Sequence, residues 1–102
     1  MTITAYHHPG FAADIGDHVM PMRKFQMVAD AVRGMAGVRV EAPAPVTDTD
    51  LLRVHTAAYV GAVRTGEPRA LAQSQKFPWS PALYPSVSLT NGGAVAAARQ
   101  AL

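Results

Sequence analysis

Apolar and polar residues alternate at two places in the first half of the chain. Ile3-Thr4-Ala5-Tyr6 alternates and runs into His7-His8-Pro9-Gly10, where Pro-Gly is a turn signal, so a short strand is predicted over 3–6. Val38-Arg39-Val40-Glu41 alternates in the same way and predicts a second short strand. Between them, Phe11 to Val19 reads as loop, with Gly16-Asp17 at its centre. A helix is predicted from near Met20, because Pro21 suits a first helical turn, where its missing N–H costs nothing. Phe25, Val28, Ala29, Val32 and Met35 then fall on one helical face and predict a buried stripe, with Lys24, Gln26, Asp30 and Arg33 elsewhere on the cylinder. Gly34 and Gly37 are both available to end this helix.

The second half reads as helices. Ala42-Pro43-Ala44-Pro45 suits neither a central strand nor a helix interior and is predicted as an extended connector. Thr47 followed by Asp50 resembles a capping box opening a helix that carries Leu51, Leu52 and Val54. Thr56 can cap a further helix through Tyr59, Val60 and Val63, stopped near Gly66. Glu67 to Gln75 reads either as one more helical piece or as loop. Ser80-Pro81 looks like an N-cap with Pro in the first turn. Pro85 sits too deep for one straight helix from there, so a fresh helix is predicted from about Pro85 to the end of the chain, with Val87, Ala94, Val95, Ala98 and Leu102 near one face. Gly92-Gly93 in its middle costs about 1 kcal/mol each against Ala, which a close packing contact would explain. Two strands around one helix make a single βαβ unit. Parallel sheets are normally covered on both faces, so the pattern predicts an α/β class and an incomplete domain.

The 102 residues suffice for one domain with a small core, and 49% hydrophobic against 16% charged residues is an ordinary globular balance. With no cysteine there is no disulfide framework, thiol nucleophile or thiolate zinc site. No apolar run approaches the roughly 18 residues of a membrane span, and the first residues lack a secretory pattern, so a soluble, cytoplasmic chain is expected. The net charge of +2 comes from nine scattered Lys and Arg residues. They form no run of three, which argues against a nucleic-acid footprint.

Four histidines are the first candidates for chemistry. His7 and His8 are adjacent on an extended segment, so their side chains point to opposite sides. A metal site from His7, His18, His55 and Asp17 is conceivable but matches no His-based zinc spacing, and local hydrogen bonding by ordinary histidines is the simpler expectation. Ser74, Ser80, Ser86 and Ser88 have no nucleophile context, Gly92-Gly93 is no phosphate loop, and Asp48 with Asp50 is explained by a solvated capping turn.

Four ordered blocks nevertheless resemble the N-terminal part of the zinc-dependent histone deacetylase family. They are Tyr6-His7-His8-Pro9-Gly10-Phe11; Gly16-Asp17-His18 with Pro21-Met22-Arg23-Lys24-Phe25; Val40 to Thr47 followed by Asp50-Leu51-Leu52-Arg53-Val54-His55 and Tyr59-Val60; and Phe77-Pro78-Trp79-Ser80-Pro81 with Gly92 to Ala98. The third block is the most specific. The fourth is similar to bacterial members close to the class IV deacetylases.

The resemblance implies the N-terminal part of a three-layer α/β/α arginase–deacetylase domain, with residues 1–102 forming one segment of it. It also implies a parent that hydrolyses N-acyl-lysine or related N-acetyl amines. The family's catalytic histidine pair, zinc ligands and transition-state tyrosine follow later in the chain, so this segment is expected to hold no cofactor and to be inactive alone, with zinc bound by the full-length parent. Within the segment the resemblance places Gly16, Asp17, His18, Met20 and Pro21 at the substrate-channel rim. It places Arg23 on an internal channel, where a guanidinium attracts departing acetate. Where class I members keep an acidic substrate clamp, this chain has Gln75-Lys76-Phe77. The expected partners are the rest of the deacetylase domain or a second copy, with acyl-lysine or acyl-amine substrate in the parent and neither nucleic acid nor membrane. The alternative is a non-enzymatic interaction module that exposes its helix faces for self-association or a partner.

Overall fold

A computed structural model describes residues 2–14 and 22–102. Strand β1 spans Ile3–Tyr6 and is followed by a single 3-10 turn, Pro9–Phe11. Helix α1 spans Lys24–Arg33 and strand β2 Val38–Glu41. Four helices follow: α2 Asp48–Leu51, α3 Ala57–Thr65, α4 Arg69–Ala72 and α5 Leu83–Ala101. None of the described helices is long and apolar enough to cross a membrane.

Both strands form where alternation predicts them. They pair in parallel, Ile3 opposite Val38 and Tyr6 opposite Glu41, with α1 as the crossover between them. The fold is therefore mixed α/β. Helix α1 lies against β2, while α5 lies against β1 and the 3-10 turn. The left-handed φ of 79° at Gly37 turns the chain from the end of α1 into β2, and the Gly37 carbonyl extends the sheet by accepting from the Ile3 amide at 2.7 Å.

Local sequence signals also set the ends of α2 and α3. The Thr47 hydroxyl accepts from the Asp50 amide at 3.2 Å while the Asp50 carboxylate accepts from the Thr47 amide at 3.1 Å, a complete capping box. These bonds, the backbone one foremost, hold the exposed Asp50 carboxyl below its ordinary pKa, helped by the charges of Arg53 and Arg99. Thr56 caps α3 through the Tyr59 amide at 3.2 Å, and Gly66 ends it in the left-handed region at φ 84°. The open segment after Glu67 contains the one-turn helix α4.

Five expectations are corrected. Helix α1 begins at Lys24, with Arg23 as a cap position that makes no side-chain bond; the expected start near Met20 and Pro21 lies outside the described residues. The predicted apolar stripe of α1 is only partly covered: Ala29 is buried, but Val28 and Met35 are 60% and 56% exposed. A two-stranded sheet is too narrow to cover the whole stripe.

Helix α5 begins at Leu83, not Pro85, so Pro85 is its third residue. In the first turn an N–H has no intrahelical acceptor and the proline costs little. Ser80 does not cap it either: the Ser80 carbonyl accepts from Leu83 at 3.0 Å while its buried hydroxyl has no partner. Of the predicted apolar face of α5 only Val87 turns to the core, while Ala94, Val95, Ala98 and Leu102 are exposed; the buried positions are Leu83, Ser86, Ser88, Gly92 and Gly93.

The core lies between α3 and α5. Ala13, Val63 and Leu83 are buried there, with Met22, Tyr59, Phe77, Trp79, Tyr84 and Val87 packed around them. Of the two α5 glycines, Gly92 brings backbone against backbone and Gly93 seats an aromatic ring. A Cβ on Gly92 would meet the Ala44 carbonyl oxygen at 2.0 Å, and one on Gly93 would meet the Phe11 ring at 3.1 Å. The connector is pinned there by the Val46 amide, which donates to the Ser88 carbonyl at 3.0 Å.

Candidate functional site

The 3-10 turn after β1 brings the histidine pair to the edge of the sheet. His8 turns back on its own loop, its Nδ1 accepting from the Gly10 amide at 2.8 Å. His7 points the other way and is buried, edge-on to the Phe11 ring at 5.4 Å. Its Nε2 lies 3.1 Å from Gln26 Oε1, so the ring nitrogen donates and the amide oxygen accepts. Gln26 Nε2 in turn donates to Asp30 at 2.8 Å, and Arg33 pairs with Asp30 at 3.2 Å. Both histidines are thus engaged locally. Among the described residues no three His, Asp or Glu side chains gather at metal-binding spacing. The described donors therefore hold no zinc site, the candidate ligands Asp17 and His18 lie outside the described residues, and no chemistry is derived through a metal.

The residues expected at the channel rim divide in two. Gly16, Asp17, His18, Met20 and Pro21 lie outside the described residues. Arg23 is exposed at the entry to α1, and its carbonyl accepts from the Met27 amide at 3.2 Å. Beside it runs an apolar groove of about 330 Å³ between α1 and the sheet, floored by Ala5 and Val40 and walled by Phe25, Val28, Ala29 and Val32. Ala5 and Val40 are direct neighbours in the register, so they present one face of the sheet to this groove.

A second cavity, of about 180 Å³, lies between α3, the start of α5 and the 75–77 segment. Four rings line it: His55, Tyr59, Phe77 and Tyr84. His55 and Tyr59 lie 5.5 Å apart, centroid to centroid. Tyr84 also carries Arg64 over its face at 5.8 Å, and Arg64 is paired with Asp48 at the start of α2. Gln75 belongs to this lining, and its side-chain oxygen is buried with no hydrogen-bond partner. Next to it Lys76 has a φ of 77°, a left-handed conformation uncommon outside glycine. Sequence reasoning did not foresee this cavity. Its rings come from the turn before α3, from α3, from the 75–77 segment and from α5, so no local spacing signals it.

The Phe77-Pro78-Trp79 block is fixed onto the end of α3. Trp79 Nε1 donates to the Val63 carbonyl at 2.6 Å, its amide donates to Gln73 Oε1 at 2.8 Å, and Arg69 stacks over the indole at 4.8 Å. The indole covers Gly66, where a Cβ would meet it at 2.8 Å. No family model, curated protein or solved structure matches the chain.

Proposed function

We propose that this chain is the N-terminal segment of a zinc-dependent deacylase of the arginase–deacetylase fold. Its parent hydrolyses N-acyl-lysine or a related N-acetyl amine, and the segment alone is catalytically inert. One observation carries the reading beyond the motif string: residues of the family-like blocks, far apart in sequence, are packing partners. Phe11 of the first block meets Gly93 of the fourth, and Ala44 of the third meets Gly92. The Ser86 hydroxyl, just after the fourth block's opening, donates to the Phe11 carbonyl at 2.7 Å. A chance string of motifs has no reason to converge. In this reading Arg23 and the 16–21 loop belong to the channel and its rim, and the groove beside α1 is covered by the rest of a three-layer α/β/α domain.

The test is to read the transcript past the codon for Leu102 and to assay the full product on an acetyl-lysine peptide. A G-G-x-H-H followed by D-x-H, with chelator-sensitive hydrolysis, is the expected result. An open frame without these motifs, or a product with no such hydrolysis, overturns it.

The 60% exposure of Val28 in the wall of the apolar groove favours a second reading in which a copy of this chain or a protein partner covers that face. Light scattering separates the readings. A monomer at all concentrations removes self-association.

A further inference from the structure

We propose that the cavity between α3 and α5 is a binding site for a small neutral aromatic molecule that carries one N–H or O–H donor. The volume of about 180 Å³ fits one ring system; apolar cavities near 150 Å³ take up benzene. The lining selects an aromatic guest, since His55, Tyr59, Phe77 and Tyr84 offer ring faces and edges, and Val60 and Leu83 close the rest with aliphatic surface. A largely apolar chamber with a few placed polar groups is the usual composition of a small-molecule site.

The donor requirement comes from Gln75. Its side-chain oxygen is buried without a partner, a condition that costs free energy and is rare among buried polar atoms. The terminal amide torsion of glutamine is soft. A small rotation presents the oxygen to a guest whose N–H supplies the missing bond. The backbone beside it is held in a left-handed conformation at Lys76, and such strain concentrates at ligand sites. Neither feature is required by the deacylase reading, and Arg23 is not among the described residues that line the site.

The test uses indole and indene, which share a shape while only indole has an N–H, titrated into the full chain by calorimetry. Indole is expected to bind saturably and about fivefold tighter than indene, the ratio given by one net hydrogen bond. Gln75→Leu is expected to erase that preference while both still bind. Val87→Phe, which fills the chamber from α5, is expected to abolish both. Absence of saturable binding, equal affinity of indole and indene for the unsubstituted chain, or unchanged binding in a folded Val87→Phe variant overturns the proposal. The comparison on the unsubstituted chain decides the case even where a variant does not fold.

Discussion

Gly92→Ala isolates the contact that joins the two halves of the molecule. The added Cβ would lie 2.0 Å from the Ala44 carbonyl oxygen, 3.0 Å from its carbon and 3.1 Å from the Pro45 Cα. All three atoms are backbone, so no rotamer relieves the clash. Reaching an ordinary separation of about 3.4 Å requires the connector and α5 to part by roughly 1.4 Å, a strain of the overpacking kind that costs about 1–3 kcal/mol. That displacement also breaks the 3.0 Å bond from Val46 to Ser88, worth about 1 kcal/mol net. Against this, Ala gains about 1 kcal/mol of helix propensity over Gly.

The sum is a destabilisation of about 1–3 kcal/mol. The control is Gly61→Ala in α3, where nothing lies within 4 Å of the new Cβ and only the propensity gain acts. That variant should be stabilised by about 0.5–1 kcal/mol. Urea denaturation followed by the single tryptophan, Trp79, reads both. A Gly92→Ala midpoint at or above that of the unsubstituted chain refutes the close backbone approach.

Other expectations follow from the same contacts. Ser86→Ala leaves the Phe11 carbonyl without its 2.7 Å donor and should cost about 1–3 kcal/mol in the same denaturation assay. Thr47→Ala removes the capping hydroxyl and should cost about 1 kcal/mol, read by loss of amide protection in α2. The Asp50 pKa is lowered in the fold. Its stabilisation should be full above the ordinary aspartate range and lost as pH falls through the lowered value, so the stability difference between the chain and Asp50→Ala should shrink there. A difference that stays constant with pH contradicts the capping geometry. Val28→Lys, at a groove position 60% exposed, should leave the denaturation midpoint nearly unchanged while suppressing any concentration-dependent association.

Elements governed by neighbouring residues were legible in the sequence. The strands at 3–6 and 38–41, the Thr47–Asp50 box, the Thr56 cap and the Gly66 stop are all decided within a few residues. The buried face of α5 was not legible. Hydrophobic spacing assumes that side chains meet side chains, and here Gly92 and Gly93 meet the Ala44 backbone and the Phe11 ring, so Val95 and Leu102 turn outward. The α1 stripe failed for the opposite reason: the residues are apolar, yet the described sheet offers only two strands to cover them. Of the four histidines, His7 and His8 were read correctly as local hydrogen-bonding groups, as their bonds with Gln26 and Gly10 show, while His18 lies outside the described residues and His55 meets the Tyr59 ring. The ring-lined cavity was invisible because its walls meet only in three dimensions.

The seating of the connector on α5 also sets an order of events during synthesis. Residues 42–46 are made early, but their support arrives only with residues 88–93. The bond from Ser86 to Phe11 bridges 75 positions of sequence. Contacts so distant must await loop closure and are slow to form. A nascent chain that has not yet released α5 from the ribosome can build its capped helices, but it holds Phe11 and the prolines at 43 and 45 without their seat. During that interval the first strand pair is the surface a chaperone has most reason to cover.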